Sequence, residues 1–161
     1  MTTHSPSPDD TPWLDADQQR AWRAFLGGVT ALMDQLDREL RTHHDLSMPE
    51  YEILVRLSEA PDRAIRMAEL AAAVGHSRSR VTHTVSRLER DGLVQRGQCA
   101  DDGRGVSAIL TDAGMAALAA AAHTHVRGVH EHLVSRASAD DFAALGRVMG
   151  AVVEHLHGRT F

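Results

Sequence analysis

HSRSRVTHTVSRLER, residues 76–90, decides how the rest of the chain is read. At helical spacing Val81, Val85 and Leu88 fall on one narrow stripe, the mark of a helix with a single buried side. The opposite arc carries Ser79, Thr82, His83, Ser86, Arg87 and Arg90, with Arg80 at its edge. That arc holds hydroxyls, an imidazole and guanidiniums but no carboxylate; Glu89 falls toward the flank of the buried side. Short hydroxyls and guanidiniums reach phosphates and base edges, and arginine pairs bidentately with guanine. A merely solvated polar face is the alternative, and the neighbouring segments weigh against it.

Upstream, residues 67–74 form a compact helix with Met67, Leu70, Ala71 and Val74 on one side, ended by Gly75. Ser77 then stands where an N-cap belongs. Ser47-Met48-Pro49-Glu50 is a capping box with proline in the first turn, where its missing donor costs nothing. It opens a helix with Tyr51, Leu54, Val55 and Leu57 inward, stopped by Pro61, and residues 64–66 are a short extended link with at most a one-residue strand contact. Helix, helix, short turn, helix is helix-turn-helix order, with the polar arc on the last member. Downstream, Asp91-Gly92 ends the helix, residues 93–98 read as a strand and residues 106–110 as its return. The tip between them, Ala100-Asp101-Asp102-Gly103-Arg104-Gly105, is rich in residues that tolerate positive φ. A hairpin directly after a reading helix is a wing.

The flanks are long amphipathic helices. Asp15 with Gln18 is a second capping box, followed by Trp22, Phe25, Leu26, Val29, Leu32, Met33, Leu36 and Leu40 at spacings of three and four, to about residue 43. Thr111 caps a helix predicted to run to about residue 136, with a stripe of Met115, Leu118, Ala122, Val126, Val129 and Leu133. Ser138 with Asp141 opens a last helix whose Phe142, Leu145, Met149, Val152 and Leu156 have coiled-coil spacing. The expected fold is mainly α with a small β-wing (α+β): a winged helix-turn-helix core flanked by N- and C-terminal helices whose apolar stripes need long partners.

Composition bounds the function. The chain has 161 residues, 43% of them hydrophobic, and a net charge of −5 without a single lysine. Such a total argues against an indiscriminate polyanion binder, but residues 76–96 carry five arginines against Glu89 and Asp91, a local +3 against −8 elsewhere. Cys99 is the only cysteine, so no intramolecular disulfide forms and no CxxC motif exists, which fits a reducing compartment. Residues 1–13 are rich in Pro, Ser and Asp, are expected to be disordered, and lack the apolar core of a signal peptide. No apolar run approaches about 18 residues, so no membrane span and a cytoplasmic location are expected. There is no GxSxG, no HExxH, no phosphate-cradling glycine loop and no pair of carboxylates on one face, so an enzyme is not expected, and no cofactor.

Two motifs carry a family resemblance. Leu88-Glu89-Arg90-Asp91-Gly92-Leu93-Val94-Gln95-Arg96 is similar to the "LE-x-x-GLV-x-R" run of the MarR transcriptional regulators. Asp102-Gly103-Arg104, with Leu110-Thr111 and Ala113-Gly114 following, resembles that family's wing signature. The resemblance spans about residues 15–157 and implies a homodimer reading a palindromic operator in double-stranded DNA. It divides the chain into a tail (1–13), an N-terminal dimerisation helix (14–46), the winged DNA-binding region (47–111) and C-terminal dimerisation helices (112–161). It implies DNA contacts from Ser77, Arg78, Ser79, Arg80, Thr82, His83, Ser86 and Arg87. Arg104 matches the wing arginine that enters the minor groove, and Asp102 the acid that orients it. Arg96 is either a phosphate contact or half of an intradomain ion pair. Relatives are released from DNA by small phenolics or aromatic acids, so a repressor with such an effector is implied; no ligand contacts are assigned. The wing is poorer in positive charge than many relatives' wings, which shifts weight to the helix.

Other readings stay open beside this one. An architectural DNA binder without an effector would show weak sequence preference and strong salt dependence. Eleven histidines suggest a metal-responsive regulator, but the neighbouring pairs His43–His44, His123–His125, His130–His132 and His155–His157 are one or two residues apart, not the three or four that put two zinc ligands on one helix face. Cys99 beside the wing is a candidate oxidant sensor, with Asp101 and Asp102 opposing the positive charge a reactive thiolate needs.

Overall fold

The computed structural model describes residues 11–98 and 105–158. Its elements follow the local start and stop signals. Helix α1 (Ala16–His44) begins at Asp15 with both halves of the capping box formed to Gln18, and ends at Asp45 in the left-handed conformation, φ 53°. Helix α2 (Met48–Glu59) starts on the Ser47–Glu50 capping box. After a 3-10 turn at Pro61–Arg63 come strand β1 (Ala64–Arg66), helix α3 (Met67–Ala73) and helix α4 (Arg78–Arg90). Strands β2 (Val94–Gln98) and β3 (Val106–Leu110) form the wing. Helix α5 (Asp112–His132), capped by Thr111, and helix α6 (Ala139–His157), capped by Ser138, complete the order. The architecture is mainly helical with a small antiparallel sheet, as the sequence implied.

The sheet has three strands in the order β1-β3-β2, with Ile65 opposite Ala108 on one side and Arg96 opposite Ala108 on the other. The segment 64–66 is therefore a full three-residue strand, more than the single contact expected of it. It pairs the edge of β3 that would otherwise present unsatisfied amides and carbonyls. One continuous core joins Leu40 and Leu46 to Ile53, Leu54 and Leu57 of α2, Leu70 of α3, Val81, Val85 and Leu88 of α4, Val94, Ala108 and Leu110 of the wing, and Leu118 of α5. Ile53 is fully buried, whereas Val55, expected inward, is only half-buried. Helix α2 contacts α1, α4 and α5 at once, so more than one of its faces points inward.

Two expectations for the C-terminal half are corrected. Helix α5 stops at His132 instead of about residue 136: Leu133 leaves the helical region (φ −124°, ψ −62°) and a 3-10 turn follows at Val134–Arg136. Its buried face is Gly114, Leu118, Ala121, Thr124 and Gly128, turned about 100°, one residue step, from the predicted stripe. The reason is close packing. A Cβ on Gly128 would meet Leu36 Cδ2 at 2.7 Å as well as the Glu39 carboxylate, so the small residues let α5 lie tightly against α1. Val126 of the predicted stripe is consequently 63% exposed. Helix α6 buries none of its residues 139–156, with Leu156 66% exposed, and Trp22, Leu26, Val29 and Met33 of α1 are exposed too. No helix among the described residues is long and apolar enough to cross a membrane.

Candidate nucleic-acid interface

Helix α4 is aimed by its two ends and its buried stripe. Gly75 takes φ +65°, a conformation open to glycine at no cost, and turns the chain out of α3. The Ser77 hydroxyl accepts the Arg80 amide at 3.3 Å and caps α4. Val81, Val85 and Leu88 are buried, each adding about 1.5–3 kcal/mol of burial free energy, and they fix which side faces out. Ser77, Arg78, Ser79, Arg80, Thr82, His83 and Ser86 are exposed and Arg87 is partly exposed, so the arc read from the sequence is outward.

The structure adds that this arc is held along both edges by charged pairs. On one edge Arg96 of β2 binds back to the helix. Its Nη1 donates to Glu89 Oε2 at 3.1 Å, while Nη2 donates to the Thr82 carbonyl at 3.1 Å and to Ser86 Oγ at 2.8 Å. The Arg96 amide also donates to Glu89 Oε1 at 3.2 Å. Of the two roles open to Arg96, the structure shows the intradomain pair. On the other edge Arg87 Nε forms an ion pair with Glu50 Oε1 of α2 at 3.0 Å, and Glu50 is only 2% exposed. Around the helix Glu89 and Arg87 stand about 160° apart across the exposed side. Between these two fastenings lie Ser79, His83 and Arg90, with Arg80 seven residues before Arg87 at that same edge. The side chains of Arg80, His83 and Arg90 make no ion pair or hydrogen bond among the described residues, and Ser79 Oγ lies 3.2 Å from Ser77 Oγ. Ser86 is already engaged, donating to the Thr82 carbonyl at 2.8 Å.

Glu50 and Glu89 are the site residues that sequence reasoning missed. Glu50 was recognised as a helix cap, but nothing local to it signals a partner 37 positions away. Asp102, Arg104 and Cys99, with the rest of residues 99–104 of the hairpin tip, lie outside the described residues.

The wing is fastened at its base. Thr111 Oγ1 donates to the Gly92 carbonyl at 2.8 Å and accepts the Gly114 amide at 2.9 Å, while the Thr111 amide donates to the Leu93 carbonyl at 3.1 Å. A Cβ on Gly114 would overlap that same Leu93 carbonyl oxygen and lie 2.6 Å from Leu110 Cδ1. The Leu-Thr-x-x-Gly spacing is thus the chemistry of one junction: a hydroxyl that caps α5 and a bare Cα where the wing backbone crosses.

The reading region is also tied to α1. Asp37 Oδ1 accepts the Met48 amide at 2.7 Å and Oδ2 accepts Arg41 Nε at 2.6 Å. Burial pushes the Asp37 carboxyl up, but those two donors outweigh it and hold it below the ordinary aspartate range. Several histidines serve as packing and hydrogen-bonding groups: His44 Nε2 lies 2.7 Å from Thr124 Oγ1, His132 Nε2 2.7 Å from Glu39 Oε1, and His125 packs on Tyr51 with ring centroids 4.7 Å apart. Burial holds His125 below the usual imidazole range. Among the described residues no group of three or more His, Cys, Asp or Glu is arranged to hold a metal ion.

Comparison with known proteins gives a consistent result. A family model described as "MarR family" matches residues 44–105. The crystal structure of Sco3205, a MarR family transcriptional regulator from Streptomyces coelicolor in complex with DNA, is 40% identical, with a TM-score of 0.87 over 92% of this chain and 93% of that one. AbsC, a MarR family transcriptional regulator from the same organism, is 37% identical, with a TM-score of 0.85 over 92% of this chain and all of that one, 100%. The HTH-type transcriptional regulator TtmR of Methylorubrum extorquens (strain PA1) is 34% identical over 77 residues, 48% of this chain. The chain spans between 38% and 60% of the length of the curated relatives it matches.

Proposed function

The chain belongs to the MarR family of transcriptional regulators, and on that premise we propose that it is a sequence-specific DNA-binding repressor, working as a homodimer on a palindromic operator. The observation that carries this reading is the ridge of α4: Ser79, Arg80, His83 and Arg90 outward, no carboxylate among them, and an ion pair on each side holding the helix in one orientation. Arginine and short polar side chains on a rigidly held helix are what direct readout of a major groove requires. The DNA complex solved for the 40% identical Sco3205 supports the same use of the fold. Arg78 and Ser77 at the start of α4 supply phosphate contacts, and Arg87 and Arg96 hold the helix in place. Arg104, oriented by Asp102, extends the contact into the minor groove.

The homodimer reading rests on apolar surface. The stripe of α1 (Trp22, Leu26, Val29, Met33) and that of α6 (Val148, Val152, Leu156) are left exposed by the described residues of one chain. Contiguous apolar faces of this kind mark interfaces. A twofold partner that covers them also places two α4 ridges at a fixed separation, near one duplex turn of about 10 bp. A small phenolic or aromatic acid that binds a state with wrongly spaced ridges draws the dimer from its operator by population shift.

Selection of bound duplexes from a random-sequence library tests the reading. The expected outcome is an enriched inverted repeat whose half-site centres lie about 10 bp apart. A pool that never enriches, or one enriched without twofold symmetry, refutes it.

A further inference from the structure

We propose that Glu50 is a positioning residue for DNA recognition: through Arg87 it sets the rotation of α4 about its axis, and so decides which side chains meet the bases. The inference rests on the DNA-binding reading above and deepens it.

Glu50 sits in the first turn of α2, where its backbone partner in the capping box is satisfied by one oxygen alone. Oε2 accepts the Ser47 amide at 2.8 Å and the Ser47 hydroxyl. The other oxygen, Oε1, is ion-paired with Arg87 Nε of α4 at 3.0 Å. A glutamate that only capped α2 would keep its second oxygen in water, as caps at exposed helix starts do. Here the side chain is 2% exposed, and a carboxylate so removed from water needs a cationic partner. Arg87 is that partner, and it remains 38% exposed.

The geometry makes the pair an orienting device. The stripe of Val81, Val85 and Leu88 fixes which side of α4 faces the core, but it restrains small rotations within that placement weakly, since dispersion contacts are individually small and not directional. Polar fastenings at the two edges resist rotation in opposite senses: the hydrogen bonds of Arg96 to Glu89, Thr82 and Ser86 on the wing side, and the ion pair of Arg87 with the buried Glu50 carboxylate on the α2 side. The residue beyond Glu50 in this chain of bonds is also fixed, because the Met48 amide beside the cap donates to Asp37 of α1 at 2.7 Å. The rotation of the reading helix is therefore referenced to the long N-terminal helix through Asp37, Met48, Ser47, Glu50 and Arg87 in turn.

The test is a double-mutant cycle on the full-length chain, with the duplex enriched by wild type from a random library as the specific probe and a scrambled duplex of equal length as the non-specific one. Glu50→Gln keeps an oxygen for the Ser47 amide and removes the charge that Arg87 pairs with. The expected result is a loss of specific affinity of tenfold or more, with binding to the scrambled duplex no weaker than wild type. In an Arg87→Ala background the same Glu50→Gln change should cost less than twofold, because its only route to the DNA is gone. A purely structural Glu50 would cost the same in both backgrounds, and that additive outcome overturns the inference, as does a Glu50→Gln protein that binds the specific duplex like wild type. Should Glu50→Gln not fold, Arg87→Gln breaks the pair from its exposed side: lost discrimination between the two duplexes supports the inference, and retained discrimination overturns it. If wild type enriches no duplex, it is the DNA-binding reading that fails; if wild type enriches one and the cycle is additive, only the role of Glu50 falls.

Discussion

Arg96→Met separates a helix-fastening arginine from a phosphate-binding one, because the two roles leave different traces in the salt dependence of binding. Methionine keeps the aliphatic stem and removes the guanidinium. The structure assigns that guanidinium three partners: Glu89 Oε2 at 3.1 Å, the Thr82 carbonyl at 3.1 Å and Ser86 Oγ at 2.8 Å. The pair with Glu89 is partly exposed, with side chains 29% and 39% accessible, so it contributes no more than about 1 kcal/mol. The two hydrogen bonds onto α4 add about 1 kcal/mol each. Urea denaturation should therefore show a stability loss of about 2–3 kcal/mol at an unchanged m-value. Operator affinity, measured by fluorescence anisotropy from low to moderate salt, should fall, with the plot of log K against log salt displaced in parallel. A phosphate contact would behave otherwise. Its removal lowers the slope by about 0.9, so the deficit of the variant would shrink about 3.5-fold between 50 and 200 mM salt. Converging lines together with unaltered urea stability would refute the assignment of Arg96 to the helix edge.

Four further outcomes follow from the same geometry. Arg80→Ala, at an exposed guanidinium with no partner among the described residues, should flatten the salt slope by about 0.9; an unchanged slope moves Arg80 off the phosphates. Gly114→Ala forces a methyl into the Leu93 carbonyl and threatens the Thr111 amide bond to it, so a loss of about 3–4 kcal/mol is expected in chemical denaturation, and a loss under about 1 kcal/mol would contradict the packing at the wing base. If wild type sediments as the proposed homodimer, Val152→Asp with Leu156→Asp should sediment as a monomer; a variant that stays dimeric would take α6 out of the interface. Glu39 is held below the ordinary glutamate range by Gln35 and then by His132, so its folded pKa is the lower one and the stability it adds is present above about pH 4.3 and lost as pH falls through the folded value. Wild type should thus exceed Glu39→Gln in stability at pH 7 and converge with it near pH 3; a gap that stays constant over that range would remove Glu39 from the acid limb.

The histidines show that composition alone does not reveal contacts. Eleven in one chain suggest metal, yet His44, His125 and His132 lie against Thr124, Tyr51 and Glu39, where they join α1 and α2 to α5. Arg87 makes the converse point. By helical spacing it belongs to the polar arc with Ser79 and His83, and it is a basic residue beside a reading ridge. Only the carboxylate brought against it from α2 shows that it is ion-paired within the fold.

Sequence by itself determined where the elements begin and what the reading helix exposes. Asp15, Ser47, Ser77, Thr111 and Ser138 each cap a helix at the position read from local spacing, because capping is settled within four residues. The outward arc of α4 was legible for a like reason: with one short apolar stripe, its orientation has one solution. Helix α5 has apolar residues over much of its circumference, and periodicity could not choose among its faces. Tertiary packing chose the one with Gly114, Ala121 and Gly128, since only small side chains let α5 approach the wing base and α1 so closely. The edge pairs of α4 were likewise decided by the fold alone. Glu50 and Arg87 are brought together by the crossing of two helices, and no pattern running along a single chain segment records a distance between segments.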